Sequence, residues 1–153
     1  MKSNCVVVDA SIALKWVLDE ADSSTALTML TDWTDNDVGI LAPALLAYEV
    51  TNALYRRVGR GVIPPEDARH GLKKVIFNSV QLEFFQDADF SIRAMELAQH
   101  FGLPATYDAH YLALAESKGC ELWTADERMW NSINGKLPWV RWISDYPASS
   151  SEV

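Results

Sequence analysis

The sequence predicts an α/β fold: a three-layer α/β/α sandwich around a central, mainly parallel sheet of about five strands. Short apolar runs alternate with longer helical patterns along the whole chain. Its 153 residues suit a single domain, and no internal repeat or long linker divides them. A 49% hydrophobic share with 22% charged residues is globular and excludes a disordered chain.

Val6-Val7-Val8 is a β-branched run that stops at Asp9, and it reads as a short buried strand. Ser11 to Leu18 places Ile12, Leu14, Trp16 and Val17 in a short helix. Ser23 to Trp33 carries the stripe Ala26, Leu27, Leu30 and Trp33 of a second helix. Val38 to Ala42 is the next strand, ended by Pro43. Ala44 to Val58 is strongly helical and stops at Gly59 and Gly61. Pro64-Pro65-Glu66 opens one helix running to about Phe77, with proline in the first turn. Val80 to Phe85 alternates as a third strand. Helices are expected over Phe90 to His100 and Asp108 to Lys118, each followed by glycine. Glu121 to Thr124 is the fourth strand, Glu127 to Ile133 a short helix, and Val140 to Ile143 the fifth strand. Residues 1–146 are expected to form the domain, and 147–153 a flexible Ser-rich tail.

The balance of 13 basic against 21 acidic residues, net −8, argues against an indiscriminate binder of nucleic acid or membrane surfaces. No apolar stretch approaches the roughly 18 residues of a spanning helix. Asp9 interrupts the N-terminus before a signal-peptide core can form. Cys5 and Cys120 are too few for a disulfide framework and lack CxxC spacing. A cytoplasmic protein with reduced thiols is the expectation.

Four acids fall where a parallel sheet binds ligands, at the carboxyl ends of its strands. Asp9 follows the first strand and Asp126 follows the fourth. Asp108 opens the helix before the fourth strand, and Glu49 lies one turn into the helix after the second. Each has a plainer reading. Asp9 with Ser11 could cap the first helix, Asp108 could be an N-cap, and Thr124 with Glu127 fits a capping box. Glu49 fits solvation least well: Leu45, Leu46, Asn52 and Ala53 surround it, and no Lys or Arg occurs between Lys15 and Arg56. Converging carboxylates repel one another, and a divalent cation removes that conflict. An all-oxygen set points to Mg²⁺ or Mn²⁺ and away from zinc, for which His70, His100 and His110 show no ligand spacing.

VVVDASIALKW around Asp9, LAPALLAYEVTNAL around Glu49, TYDAHYLALAE around Asp108 and LWTADERMW around Asp126 together resemble the PIN domain. They are most similar to the VapC-type ribonuclease toxins of toxin–antitoxin pairs. The resemblance covers nearly the whole chain in order and spacing. It implies a metal-dependent endoribonuclease with Asp9, Glu49, Asp108 and Asp126 as acidic quartet and metal ligands. It also implies supporting roles for Ser11, Asn52 and Thr124, a cognate antitoxin as partner, and a homodimer with the apolar residues of the first two helices as a candidate face.

Six of the 13 basic residues lie between positions 56 and 74, against only Glu66 and Asp67. Arg56, Arg57, Arg60, Lys73 and Lys74 are therefore candidates for guiding an RNA backbone, an ordinary charged surface being the alternative. The six tryptophans are expected mainly in the core, with Trp130 a weaker candidate for stacking a base. Two rival functions compete with the nuclease. A receiver-like Mg²⁺-binding signalling module would use Asp87 or Asp89 as phosphoacceptor, yet no Lys follows VRWISDY. A PIN-like protein that binds RNA or a partner without cutting would keep the same acids. Dinucleotide and P-loop folds are excluded by the absence of GxGxxG and GK[ST].

Overall fold

The computed structural model describes residues 4–84 and 87–147. Its elements are β1 (Cys5–Val8), α1 (Ala10–Lys15), α2 (Ser23–Asp35), β2 (Gly39–Pro43), α3 (Leu45–Gly59), α4 (Pro65–His70), α5 (Phe77–Ser79), β3 (Gln81–Glu83), α6 (Ala88–His100), α7 (Tyr107–Lys118), β4 (Glu121–Thr124), α8 (Glu127–Ile133) and β5 (Val140–Trp142). A π-helical turn, Gly71–Ile76, joins α4 to α5, and a 3₁₀ turn, Ile143–Asp145, follows β5. The five strands form one parallel sheet in the order β3-β2-β1-β4-β5. The predicted α/β sandwich is the fold observed.

Consecutive strand residues point to opposite faces of a sheet. Val6, Val7 and Val8 are all buried, as are Leu122, Trp123 and Thr124. Helices therefore cover both faces of the central strands, which is why β1 is a continuous apolar run. The chain moves outward from β1 through β2 to β3 on one side, then crosses to β4 and β5 on the other. The strand order reverses between β1 and β4, and open α/β sheets bind ligands at the carboxyl ends of the strands that flank such a reversal. A receiver-like sheet has the order 2-1-3-4-5 instead. Asp87, one of the two acids that reading could use, caps α6 by accepting from the Phe90 amide at 3.1 Å, and Asp89 lies in the first turn of the same helix.

Local differences from the expected elements have local causes. The single helix expected from Pro64 to Phe77 is broken by the π-helical turn at Gly71. A Cβ there would meet Val17 Cγ1 at 2.4 Å, so only glycine lets this segment approach so closely. β3 is shorter than the expected Val80 to Phe85, and residue 85 lies outside the described residues. So do residues 148–153, which carry most of the expected tail.

Trp16, Trp33 and Trp123 are buried, and Trp130, Trp139 and Trp142 pack partly against the core. The apolar faces of α1 and α2, expected as a dimer surface, turn inward: Ile12, Ala13, Ala26 and Met29 are core residues of the chain itself. Among residues 23–35 only Leu27 remains a large exposed apolar side chain. The β1–β4 register sets Val6 opposite Glu121, so the Cys5 and Cys120 thiols meet across the strands and share a hydrogen bond. No helix among the described residues is long and apolar enough to cross a membrane.

Candidate active site

The sheet's carboxyl edge gathers the four predicted acids. Each sits at or near the start of a helix: Asp9 is the N-cap of α1 and Asp126 the N-cap of α8. Asp108 lies in the first turn of α7, and Glu49 follows the first turn of α3. Helix N-termini carry partial positive charge, which offsets part of the repulsion among these carboxylates.

Asp9 and Asp126 are tied into one polar network. Asp9 Oδ1 accepts from Ser11 Oγ and from the Ile12 amide, while its Oδ2 accepts from Thr124 Oγ1. Thr124 Oγ1 in turn accepts from the Asp126 amide at 2.9 Å, and Ser11 Oγ accepts from the Ala125 amide at 2.8 Å. Asp126 Oδ1 caps α8 through the amides of Arg128 and Met129 at 3.0 and 3.2 Å. Two capping expectations are thereby corrected. The Thr124–Glu127 box does not form, because the Thr124 hydroxyl serves Asp9 and Asp126 does the capping. Asp108 is not an N-cap; Thr106 holds that position and makes no side-chain cap bond.

The second pair is held more loosely. Glu49 Oε1 accepts from the Tyr111 hydroxyl at 2.5 Å. Tyr111 lies one turn beyond Asp108 and is only 1% exposed. It is absent from the residues singled out by sequence, where it reads as one more apolar helix position; its spacing of three from Asp108 was the available signal. Asp108 is half-buried and accepts no hydrogen bond among the described residues.

The electrostatics match this geometry. Asp9 is 5% exposed, and burial pushes its carboxyl up to about 7 despite the bonds from Ser11, Thr124 and the Ile12 amide; the Asp126 charge adds to the rise. Glu49 is raised by burial, offset by the Tyr111 bond, with the charges of Asp108 and Asp126 adding. Asp108 is raised by burial and by Asp126, while Arg128 opposes. Three acids thus resist ionisation, and Arg128 opposes the rise only at Asp108.

The remaining predicted residues sit apart from that network. Asn52 is exposed on α3. Arg56 comes seven residues after Glu49, on nearly the same side of α3. Arg57 faces away toward Glu20, 4.0 Å distant. Arg60, Lys73 and Lys74 are exposed on or beyond the same helical hairpin. Trp130 packs on Trp142 with ring centroids 5.7 Å apart, so packing accounts for it. The His110 ring is engaged by the Thr106 carbonyl at 2.6 Å.

The family model of the PIN domain matches residues 6–135, a span that contains all four acids. The chain belongs to the PIN domain family. Ribonuclease VapC3 of Pyrobaculum aerophilum is 34% identical over 85 residues, 56% of this chain. That match covers 64% of the relative's length, just under two thirds. Among solved structures, PAE2754 from Pyrobaculum aerophilum matches at 25% identity and a TM-score of 0.63, covering 91% of this chain and 83% of the other. VapC20 of Mycobacterium tuberculosis, described as a sarcin-ricin loop cleaving toxin, shares the fold at 21% identity and a TM-score of 0.63, over 83% of this chain and 94% of its own. VapBC2 from Rickettsia felis, solved with a promoter DNA fragment, shares it at 12% identity and a TM-score of 0.60, over 90% and 96%.

The PIN-domain acids supply only oxygen donors, which suits a hard divalent cation. No three His, Cys, Asp or Glu side chains among the described residues lie close enough to hold one ion directly. Asp9, Glu49, Asp108 and Asp126 are the residues that would hold such a cation, directly or through the waters that Mg²⁺ characteristically keeps.

Proposed function

We propose that this PIN-domain protein is an Mg²⁺- or Mn²⁺-dependent endoribonuclease that hydrolyses RNA phosphodiester bonds. One observation carries the reading: Asp9, Glu49, Asp108 and Asp126 gather at one sheet edge, with three of their carboxyls raised by burial and by neighbouring carboxylates. When bound, the cation would neutralise these acids, polarise a phosphoryl oxygen and make hydroxide available near neutral pH. Ser11 and Thr124 hold Asp9 in place from both of its oxygens. Tyr111 holds one oxygen of Glu49. Asp108, accepting no bond among the described residues, is the acid best able to orient the attacking water and take its proton. Asn52 and Arg56 border the site along α3, and with Arg60, Lys73 and Lys74 they would hold the RNA backbone.

On the strength of the VapC relatives, the protein is read as the toxin of a type II toxin–antitoxin pair, acting in the cytoplasm as a homodimer and inhibited by a cognate antitoxin. Residues 1–146 would form the nuclease domain and 147–153 a tail. The test is cleavage of several structured RNAs by the purified protein with Mg²⁺ or Mn²⁺, beside Asp9→Asn. Metal-dependent cleavage should fall by at least a hundredfold in the variant. Equal behaviour of the two proteins would overturn the reading.

A further inference from the structure

Two of the site's carboxylates are each preceded by a tyrosine: Tyr48 before Glu49, and Tyr107 before Asp108. Both side chains are open to solvent, at 72% and 61% exposure, in a chain whose other aromatic residues mostly pack inward. α3 starts directly after β2 and α7 ends directly before β4, so both helices begin at the carboxyl edge of the sheet. Side chains on a helix lean toward its N-terminus. Tyr48, in the first turn of α3, and Tyr107, the first residue of α7, therefore lie at the ends of their helices that meet the acid-bearing edge. The Tyr111–Glu49 hydrogen bond ties these two helices together at this point.

Further along α3, exposed Asn52, Tyr55 and Arg56 continue the strip away from Glu49, and Arg60 follows at the helix end. The surface is thus aromatic beside the acids and cationic beyond them. That combination suits a single-stranded polynucleotide, whose bases stack on rings while its phosphates meet arginine. An apolar protein partner would not call for the arginines, and a duplex would keep its bases out of reach of the rings.

We propose that Tyr48 and Tyr107 form a base-stacking subsite that holds unpaired nucleotides on either side of the phosphate to be cut. The proposal rests on the ribonuclease reading and specifies how that site grips its substrate. Tyrosine stacking is tolerant of base identity, so the subsite selects for unpaired bases and leaves sequence preference to other contacts.

The test uses the full chain carrying Asp9→Asn, so that RNA is bound without being cut. The probes are a fluorescein-labelled twelve-nucleotide single-stranded RNA of mixed sequence and the same RNA as a duplex. Tyr48→Ala and Tyr107→Ala should each weaken single-strand binding about tenfold, in line with the loss of one stacked base. Tyr48→Phe and Tyr107→Phe, which keep the ring, should stay within about twofold of the parent. Duplex binding should not change. Because both rings are exposed, the variants should melt with the parent. Unchanged single-strand affinity in the alanine variants overturns the proposal, as does no measurable single-strand binding by the parent. A shift in oligomeric state without a change in RNA affinity also overturns it and gives the rings to a second copy of the chain. Failure of the unsubstituted protein to cut RNA is a separate result that removes the ribonuclease reading alone.

Discussion

The two halves of the acidic site are built differently. Asp9 and Asp126 each cap a helix, and the Thr124 hydroxyl joins them by donating to Asp9 and accepting from the Asp126 amide; with Ser11 it occupies both oxygens of Asp9 with donors. Glu49 has one tyrosine hydroxyl, and Asp108 accepts no hydrogen bond among the described residues. The first pair is fixed by the same bonds that start α1 and α8. The second has fewer bonds to break on turning toward an incoming ion or water. The contrast teaches that order at this site comes from backbone caps on one side and from a single side chain on the other.

Asp9 should give the largest effect. Its carboxyl is raised from 3.8 to about 7, so in metal-free protein it stabilises the fold most when protonated. That contribution is complete below about pH 4 and is lost as pH rises toward 7. Each tenfold change in proton affinity is worth roughly 1.4 kcal/mol, so a few kcal/mol are at stake. Urea unfolding in chelator should therefore show stability falling between pH 4 and 7, and Asp9→Asn should flatten the curve and exceed the parent at pH 8. Added Mg²⁺ or Mn²⁺ should restore the parent at pH 8 and leave the variant unmoved. A parent whose metal-free stability is flat across that window would mean that the hydroxyl network already satisfies the ionised carboxylate.

Thr124 comes next. It is 0% exposed and bridges the fixed pair, donating to Asp9 and accepting from the Asp126 amide. Thr124→Val keeps the shape and removes both bonds, which should cost about 1–3 kcal/mol. Cleavage should fall by more than the stability loss explains, since Asp9 and Asp126 lose their common tether. In the adjustable half, Tyr111→Phe removes one bond and should cost only about 1 kcal/mol. Its signature should be weaker binding of Mn²⁺ in calorimetric titration, by a few fold, with turnover at saturating metal little changed. If Tyr111→Phe costs more than Thr124→Val, the loosely held half is the one that carries the site's stability.

Much of this was legible in the sequence because strong local signals agreed with the tertiary fold. The VVV run before Asp9 could only be a strand buried on both faces, and Glu121–Thr124 and Glu127–Ile133 were bounded by residues with few other options. The four acids were legible because each lay just past a strand or within the first turns of a helix on a predictable edge. What escaped depended on contacts between distant segments. Nothing local shows that Gly71 must meet Val17, so the π-helical turn stayed hidden inside a helical pattern. Tyr111 sits in a helix buried nearly all round, where one hydroxyl aimed at Glu49 leaves no trace in the periodicity. The apolar stripes of α1 and α2 are ambiguous for the same reason, since a stripe does not reveal how much of it is spent on the chain's own core, as Ile12, Ala13, Ala26 and Met29 are.

Glu127 should give the smallest effect, and its smallness is informative. The local pattern Thr124-x-x-Glu127 fits a capping box, in which removing the glutamate would cost part of the helix's stability. In the fold the threonine hydroxyl is spent on Asp9, and Asp126 accepts the amides of Arg128 and Met129 in its place. Glu127 is then an exposed first-turn acid with only a weak dipole contribution. Glu127→Ala should change unfolding stability by no more than about 0.5 kcal/mol and leave cleavage unaltered. A cost above about 1 kcal/mol would mean that the box does form. Thr124 would then be bonded to its own helix and not to Asp9, and the fixed half of the site would lose the tether that distinguishes it.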